Sequence, residues 1–177
     1  FAPGTSAFSY EPGSAVLVRA GSTIVLQMHY TTNGKEATDR TKIGLFFAKQ
    51  PPQTELRLGT LINGQLKIPA GEKDYSISAD MTTLTDVTLR SLLPHTHLRG
   101  RSWEYTATYP DGRSEVILSV PKYDFNWQTE YIFAQPLKLP KGTRIHAVAH
   151  YDNSASNKSN PDPTIDVAWG DQTWEEM

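Results

Sequence analysis

Trp103-Glu104-Tyr105-Thr106-Ala107-Thr108-Tyr109-Pro110-Asp111-Gly112, continued by Arg113-Ser114-Glu115-Val116-Ile117-Leu118-Ser119-Val120, decides the fold class. Two runs rich in aromatic and β-branched residues flank a Pro-Asp-Gly turn signal, and such runs suit a pleated, half-buried strand. Outward from this stretch, comparable runs recur at residues 15–19, 23–30, 43–48, 75–79, 87–93, 131–134 and 144–151. Turn residues such as Asn33-Gly34 and Asn63-Gly64 separate them. No stretch of ten residues or more carries helical periodicity, so the chain is predicted to be all-β.

The 177 residues are 38% hydrophobic, enough for one large domain or two small ones with real cores. The segment Lys49-Gln50-Pro51-Pro52 reads as an extended linker, because proline stiffens the chain and cannot donate to a ladder. A boundary there gives domains 1–50 and 51–177. The 17 Lys and Arg against 19 Asp and Glu leave a net charge of −2, spread along the chain. That balance offers no electrostatic basis for binding nucleic acid or an anionic membrane. No apolar run approaches the roughly 18–20 residues that cross a bilayer. With no cysteine, any metal must be held by His, carboxylate, Met or backbone. The loop 152–163, dense in Asn, Ser, Asp and Pro, has oxygen donors suited to calcium, although a solvated loop is the simpler reading.

The sharpest candidate among the five histidines is the pair His95 and His97. Side chains two apart on a strand share a face and can reach one metal. Imidazole suits copper, zinc, iron and nickel alike, so the pair indicates a metal without naming it. A polar pair on a sheet face is the competing reading. A cupin also uses His-x-His, but the next carboxylate here, Glu104, falls too far along the chain. His29, with Gln27 on its strand face, and His146 with His150 are strand histidines of the kind that ordinarily find a structural hydrogen bond. An internal echo relates two of them: His29 follows Gly21, and His150 follows Gly142, by eight positions each. Two sandwich domains with equivalent strands would produce it, as would chance. The sequon Asn157-Lys158-Ser159 and the pair Glu175-Glu176 are weak signals. Serine-triad, P-loop and dinucleotide patterns are absent.

Taken together, four segments resemble the copper type II ascorbate-dependent monooxygenases, in order and in approximate spacing. They are Leu26-Gln27-Met28-His29-Tyr30, Ile68-Pro69-Ala70-Gly71-Glu72-Lys73, Pro94-His95-Thr96-His97-Leu98-Arg99-Gly100 and Gly170-Asp171-Gln172-Thr173-Trp174-Glu175-Glu176-Met177. The resemblance implies jelly-roll-like antiparallel β-sandwich domains facing each other across a cleft, each with one copper. It matches His95, His97 and Met177 to the ligands of the oxygen-binding copper. It matches His29 to a ligand of the electron-transfer copper, and Gln27 to the glutamine preceding it.

The implied activity is hydroxylation of an aliphatic C–H bond with O2 and an external reductant such as ascorbate, in a secreted or periplasmic protein. A His2Met set suits that chemistry, because thioether sulfur favours Cu(I) while two imidazoles tolerate Cu(II). Three departures go with the resemblance. The adjacent His-His pair of the electron-transfer copper is expected upstream of Phe1, so the chain reads as the major part of a longer protein. Leu93 stands where the peptide-hydroxylating enzymes grip the substrate carboxylate with arginine, and the lack of disulfides fits a bacterial member. His150, the counterpart of His29 in the echo, is a candidate for an additional metal contact. Two alternatives stay open: a non-catalytic sandwich with a binding, assembly or copper-storage role, and a zinc site using His95, His97 and His150.

Overall fold

A computed structural model describes residues 9–30 and 32–177. The chain divides into two compact units, one ending at Gly59 and the other beginning at Thr60. Among the described residues there is no helix, and the architecture is an antiparallel β-sandwich.

In the first unit, β1 (Ser14–Val16) pairs in parallel with β2 (Thr54–Leu56). That ladder joins the two ends of the unit, which differs from the antiparallel pairing found elsewhere. The runs at 23–30 and 43–48 form no strand among the described residues, and their side chains are exposed. Alternation gives a strand its faces, but a ladder also needs a partner edge, and none of the described residues supplies one.

The second unit holds the sandwich. Its larger sheet has the order β4 (Tyr75–Thr82), β9 (Arg144–Tyr151), β6 (Gly100–Thr108), β7 (Ser114–Val120), all antiparallel. The second sheet pairs β5 (Val87–Leu92) with β8 (Tyr131–Leu139). The chain thus passes from one sheet to the other between β4 and β5, β5 and β6, β7 and β8, and β8 and β9, in the jelly-roll manner. A short ladder of β3 (Lys67–Ile68) with β10 (Val167–Ala168) closes one end.

Period-two burial explains the layers. On β9, Ile145, Ala147, Ala149 and Tyr151 are buried, while Arg144, His146, Val148 and His150 take the outer face. The inner residues pack with Tyr105 and Ala107 of β6 against Leu92 of β5 and Leu139 of β8. At the β3–β10 end, Leu66 and Ile68 pack on Ala149 and Tyr151. Gly112, with φ of 85°, makes the β6–β7 turn possible: its N–H donates to Tyr109 O at 2.9 Å, and Asp111 Oδ1 accepts from Arg113 N at 2.9 Å. The strands at 75–82, 87–92, 100–108, 114–120, 131–139 and 144–151 are the six that the sequence pattern predicts in this unit; β8 extends five residues past its predicted end at residue 134, and the other ends shift by at most three.

Candidate metal centre

His95 and His97 lie in the connection that leaves β5 and crosses to β6, and not on a strand as their spacing suggests. What replaces the strand as a rigid support is the chain around them. Tyr123, just past β7, donates its hydroxyl to Thr96 O at 2.7 Å and accepts from Thr96 N at 3.2 Å, so the residue between the two histidines is held at both backbone atoms. The same burial raises the Tyr123 phenol to about 12, so it remains a donor.

The imidazoles are neighbours. Their ring centroids are 5.3 Å apart and the rings are nearly perpendicular, with the Phe125 ring 6.1 Å from that of His97. Two imidazole nitrogens each about 2 Å from one metal place their ring centroids about 5 Å apart, so the separation suits shared ligation.

Hydrogen bonds fix the tautomers. Gln128 is buried and donates its Nε2 to Phe125 O at 2.9 Å, which turns Oε1 toward His95 Nδ1 at 2.5 Å. An amide oxygen only accepts, so His95 Nδ1 carries the hydrogen and Nε2 is left with its lone pair. His97 Nδ1 faces Glu175 O at 3.4 Å, and the same logic leaves its Nε2 as the free nitrogen. Acceptors on the far nitrogen are what orient metal-binding histidines and set their basicity.

The segment that ends at Met177 is folded onto this loop. The buried Glu176 carboxylate accepts from the backbone N–H of His97 and, through Oε2, from that of Arg99 at 3.0 Å. Arg99, 1% exposed, donates Nη1 to Trp174 O at 2.8 Å and Nε to Asn153 Oδ1 at 2.9 Å. Tyr151 donates its hydroxyl to Met177 O at 3.0 Å. Residues some 79 positions apart are therefore stitched together, and the backbone of Met177 sits beside the histidine loop. Burial pushes the Glu176 carboxyl up to about 7, against the amide donors and the Arg99 charge, which favour its ionised form.

Other candidates are placed elsewhere. His29 and Gln27 are exposed residues of the unit ending at Gly59 and belong to no ladder. His150 is on the outer face of β9, its Nδ1 3.0 Å from Asp74 Oδ1, while its neighbour Tyr151 points inward to Met177 O. The structure therefore does not bring His150 to the His95/His97 pair, as the three-histidine zinc alternative requires. His146 similarly faces Asp80 at 2.9 Å. The 152–163 loop is consumed internally: Asp152 Oδ1 accepts from Ser154 N and Oγ, and Asn157 Nδ2 donates to Leu98 O and Asp152 O. Among the described residues no three His, Asp or Glu side chains gather as a metal site.

Gln128 and Arg99 are not singled out by the sequence pattern as candidate site residues, and Glu176 appears there only as half of a weak paired-carboxylate signal. The signal for Gln128 is chemical, since a ligating histidine needs an acceptor for its second nitrogen. No protein-family model matches the chain, and no curated protein matches it.

Burial is the main cause that holds both imidazoles below the ordinary value of 6.5, helped at His97 by the charge that His95 would carry. The fold thus favours the neutral rings, and the stability they contribute is present above pH 6.5 and lost as pH falls through their lowered values. Glu176 works the other way, its contribution fading as pH rises from 4.5 through about 7, so a global denaturation curve mixes the two. Site-resolved NMR separates them. The ring protons of His95 and His97 in the metal-free chain are expected to titrate with midpoints below 6.5, and a midpoint at or above 6.5 for both contradicts this placement.

Proposed function

We propose that His95, His97 and Met177 hold the oxygen-binding copper of a monooxygenase that hydroxylates an aliphatic C–H bond with O2 and an external reductant such as ascorbate. The observation that carries the reading is the pair of adjacent imidazoles. Each has its Nδ1 engaged by an oxygen acceptor and its Nε2 left for a ligand, next to the backbone of Met177. The resemblance of four segments to the copper type II ascorbate-dependent monooxygenases supports the choice of metal and of reaction. So does the donor set, since a thioether beside two imidazoles suits a metal that cycles between Cu(I) and Cu(II). When bound, copper would supply the one-electron couple and an open position for O2.

The protein's own residues do the rest. Gln128 and the Glu175 carbonyl hold the two rings in the ligating tautomer, and burial keeps them unprotonated at neutral pH. His29, with Gln27 two positions before it, would serve the electron-transfer copper. The family reading also places the protein in a secreted or periplasmic setting.

Copper titration of the full-length protein tests this. The His95→Ala/His97→Ala double variant is expected to lose one copper equivalent relative to wild type while keeping its far-UV circular dichroism. An unchanged stoichiometry in the folded variant overturns the assignment.

A further inference from the structure

We propose that Glu176 is the positioning residue of this centre, a buried carboxylate that sets the histidine loop and the Met177 backbone in one register. The inference rests on the copper reading above and concerns how the ligands are held.

Glu176 has no solvent-exposed surface. A carboxylate is costly to bury unless its oxygens are satisfied, and a hydrophobic side chain of similar volume would fill the space without that cost. Here the oxygens are satisfied by backbone from both sides of the junction. Oε1 accepts from His97 N and, at 3.3 Å, from Met177 N; Oε2 accepts from Arg99 N at 3.0 Å. The donors at 97 and 177 belong to the residues that carry the proposed ligands. One side chain therefore bridges the loop bearing two imidazoles and the residue bearing the thioether. The Trp169–Glu176 bridge, with Gly170 N donating to Glu176 O at 3.0 Å, fixes the backbone from which the carboxylate projects. A glutamine in its place can accept through one oxygen only, and its NH2 must face an N–H that also donates.

A residue with a purely structural role would change stability and leave the metal's ligands alone, so the test reads the ligands directly. Cu(I) is added to the full chain, and its sulfur scattering is followed by X-ray absorption alongside its affinity by competition with a Cu(I) chelator. Wild type is expected to show a sulfur ligand. Glu176→Gln is expected to lose that sulfur and to bind Cu(I) about 10- to 100-fold more weakly, the range typical for removing a group that orients a ligand. Met177→Leu is expected to lose the sulfur but keep the His97 and Arg99 amides protected from hydrogen exchange.

Retention of the sulfur and of wild-type affinity in Glu176→Gln overturns the positioning role while the copper reading stands. A wild-type chain that takes up no Cu(I) overturns the copper reading and this inference with it. Should Glu176→Gln fail to fold, hydrogen exchange in the wild type decides. Amides of His97, Arg99 and Met177 that open together support the shared carboxylate, and amides that open independently overturn it.

Discussion

Replacing Arg99 with Met is expected to destabilise the second unit by roughly 3–5 kcal/mol, the cost typical of removing one member of a buried charged network. For a domain of this size that corresponds to a fall in Tm of about 10 °C or more. The guanidinium is 1% exposed, and its hydrogen bonds go to the Asn153 side chain and the Trp174 carbonyl. Removing it leaves Trp174 O without this donor and removes the positive charge that favours ionised Glu176. Burial alone lowers the Arg99 pKa, which Glu176 and Asp162 oppose, so the charge is held in place by its neighbours. Arg99→Lys keeps the charge and loses the planar fork, and should recover only part of the stability. A denaturation midpoint for Arg99→Met within 1 kcal/mol of wild type would mean that the network contributes little. The double variant with Glu176→Gln is expected to cost less than the sum of the singles, since the Arg99 charge and the Glu176 carboxylate favour each other electrostatically.

Gly100→Ala is expected to cost about 1–3 kcal/mol by overpacking, and Gly100→Val more. The argument is one of space alone. A Cβ at Gly100 would collide with Thr96 Oγ1, and would lie 2.7 Å from Thr96 Cβ and 2.9 Å from Tyr123 Cδ1. Neither neighbour has room to retreat: Thr96 is fully buried, and the Tyr123 hydroxyl is bonded to both backbone atoms of Thr96. Because Thr96 lies between His95 and His97, any relief of the clash moves the two rings apart or turns them. Chemical denaturation gives the stability, and under the copper proposal Cu(I) affinity should fall in the same variant. Adding Thr96→Ala, which removes the Oγ1 that is buried without a hydrogen-bond partner, is expected to restore part of the loss. No recovery in the double variant would show that the contacts with Cβ of residue 96 and with Tyr123 Cδ1 dominate over the one with Oγ1.

Six strands of the sandwich are legible in the sequence because each is a run rich in β-branched and aromatic residues, with clean period-two burial on β4 and β9, and turn residues mark where the runs stop. Residues 23–30 have the same strand-like composition and form no ladder in the described structure, since composition says nothing about whether a partner edge is present. The two-residue strands β3 and β10 are too short to have a period at all. At the candidate centre, spacing finds His95 and His97 but assigns them to a strand. The crossover between sheets is not local information. It follows from β5 pairing with β8 while β6 pairs with β9 and β7. Glu176 illustrates the other limit: as half of a Glu-Glu pair near an irregular segment it has the pattern of a solvated surface, and only the backbone donors of residues 97 and 99 make its burial tolerable.

The junction between the histidine loop and residues 174–177 also has a meaning in time. Its hydrogen bonds span separations of 75–79 residues, and β6, β7, β8 and β9 all lie in between. Closing so distant a contact is slow compared with forming a turn, and during synthesis the second partner emerges long after the first. The loop with its two imidazoles is therefore made early and completed late. Until residues 174–177 have been added and docked, the backbone amides of His97 and Arg99 lack the Glu176 carboxylate that accepts from them, so the loop should gain its full protection from hydrogen exchange only after β9 is in place.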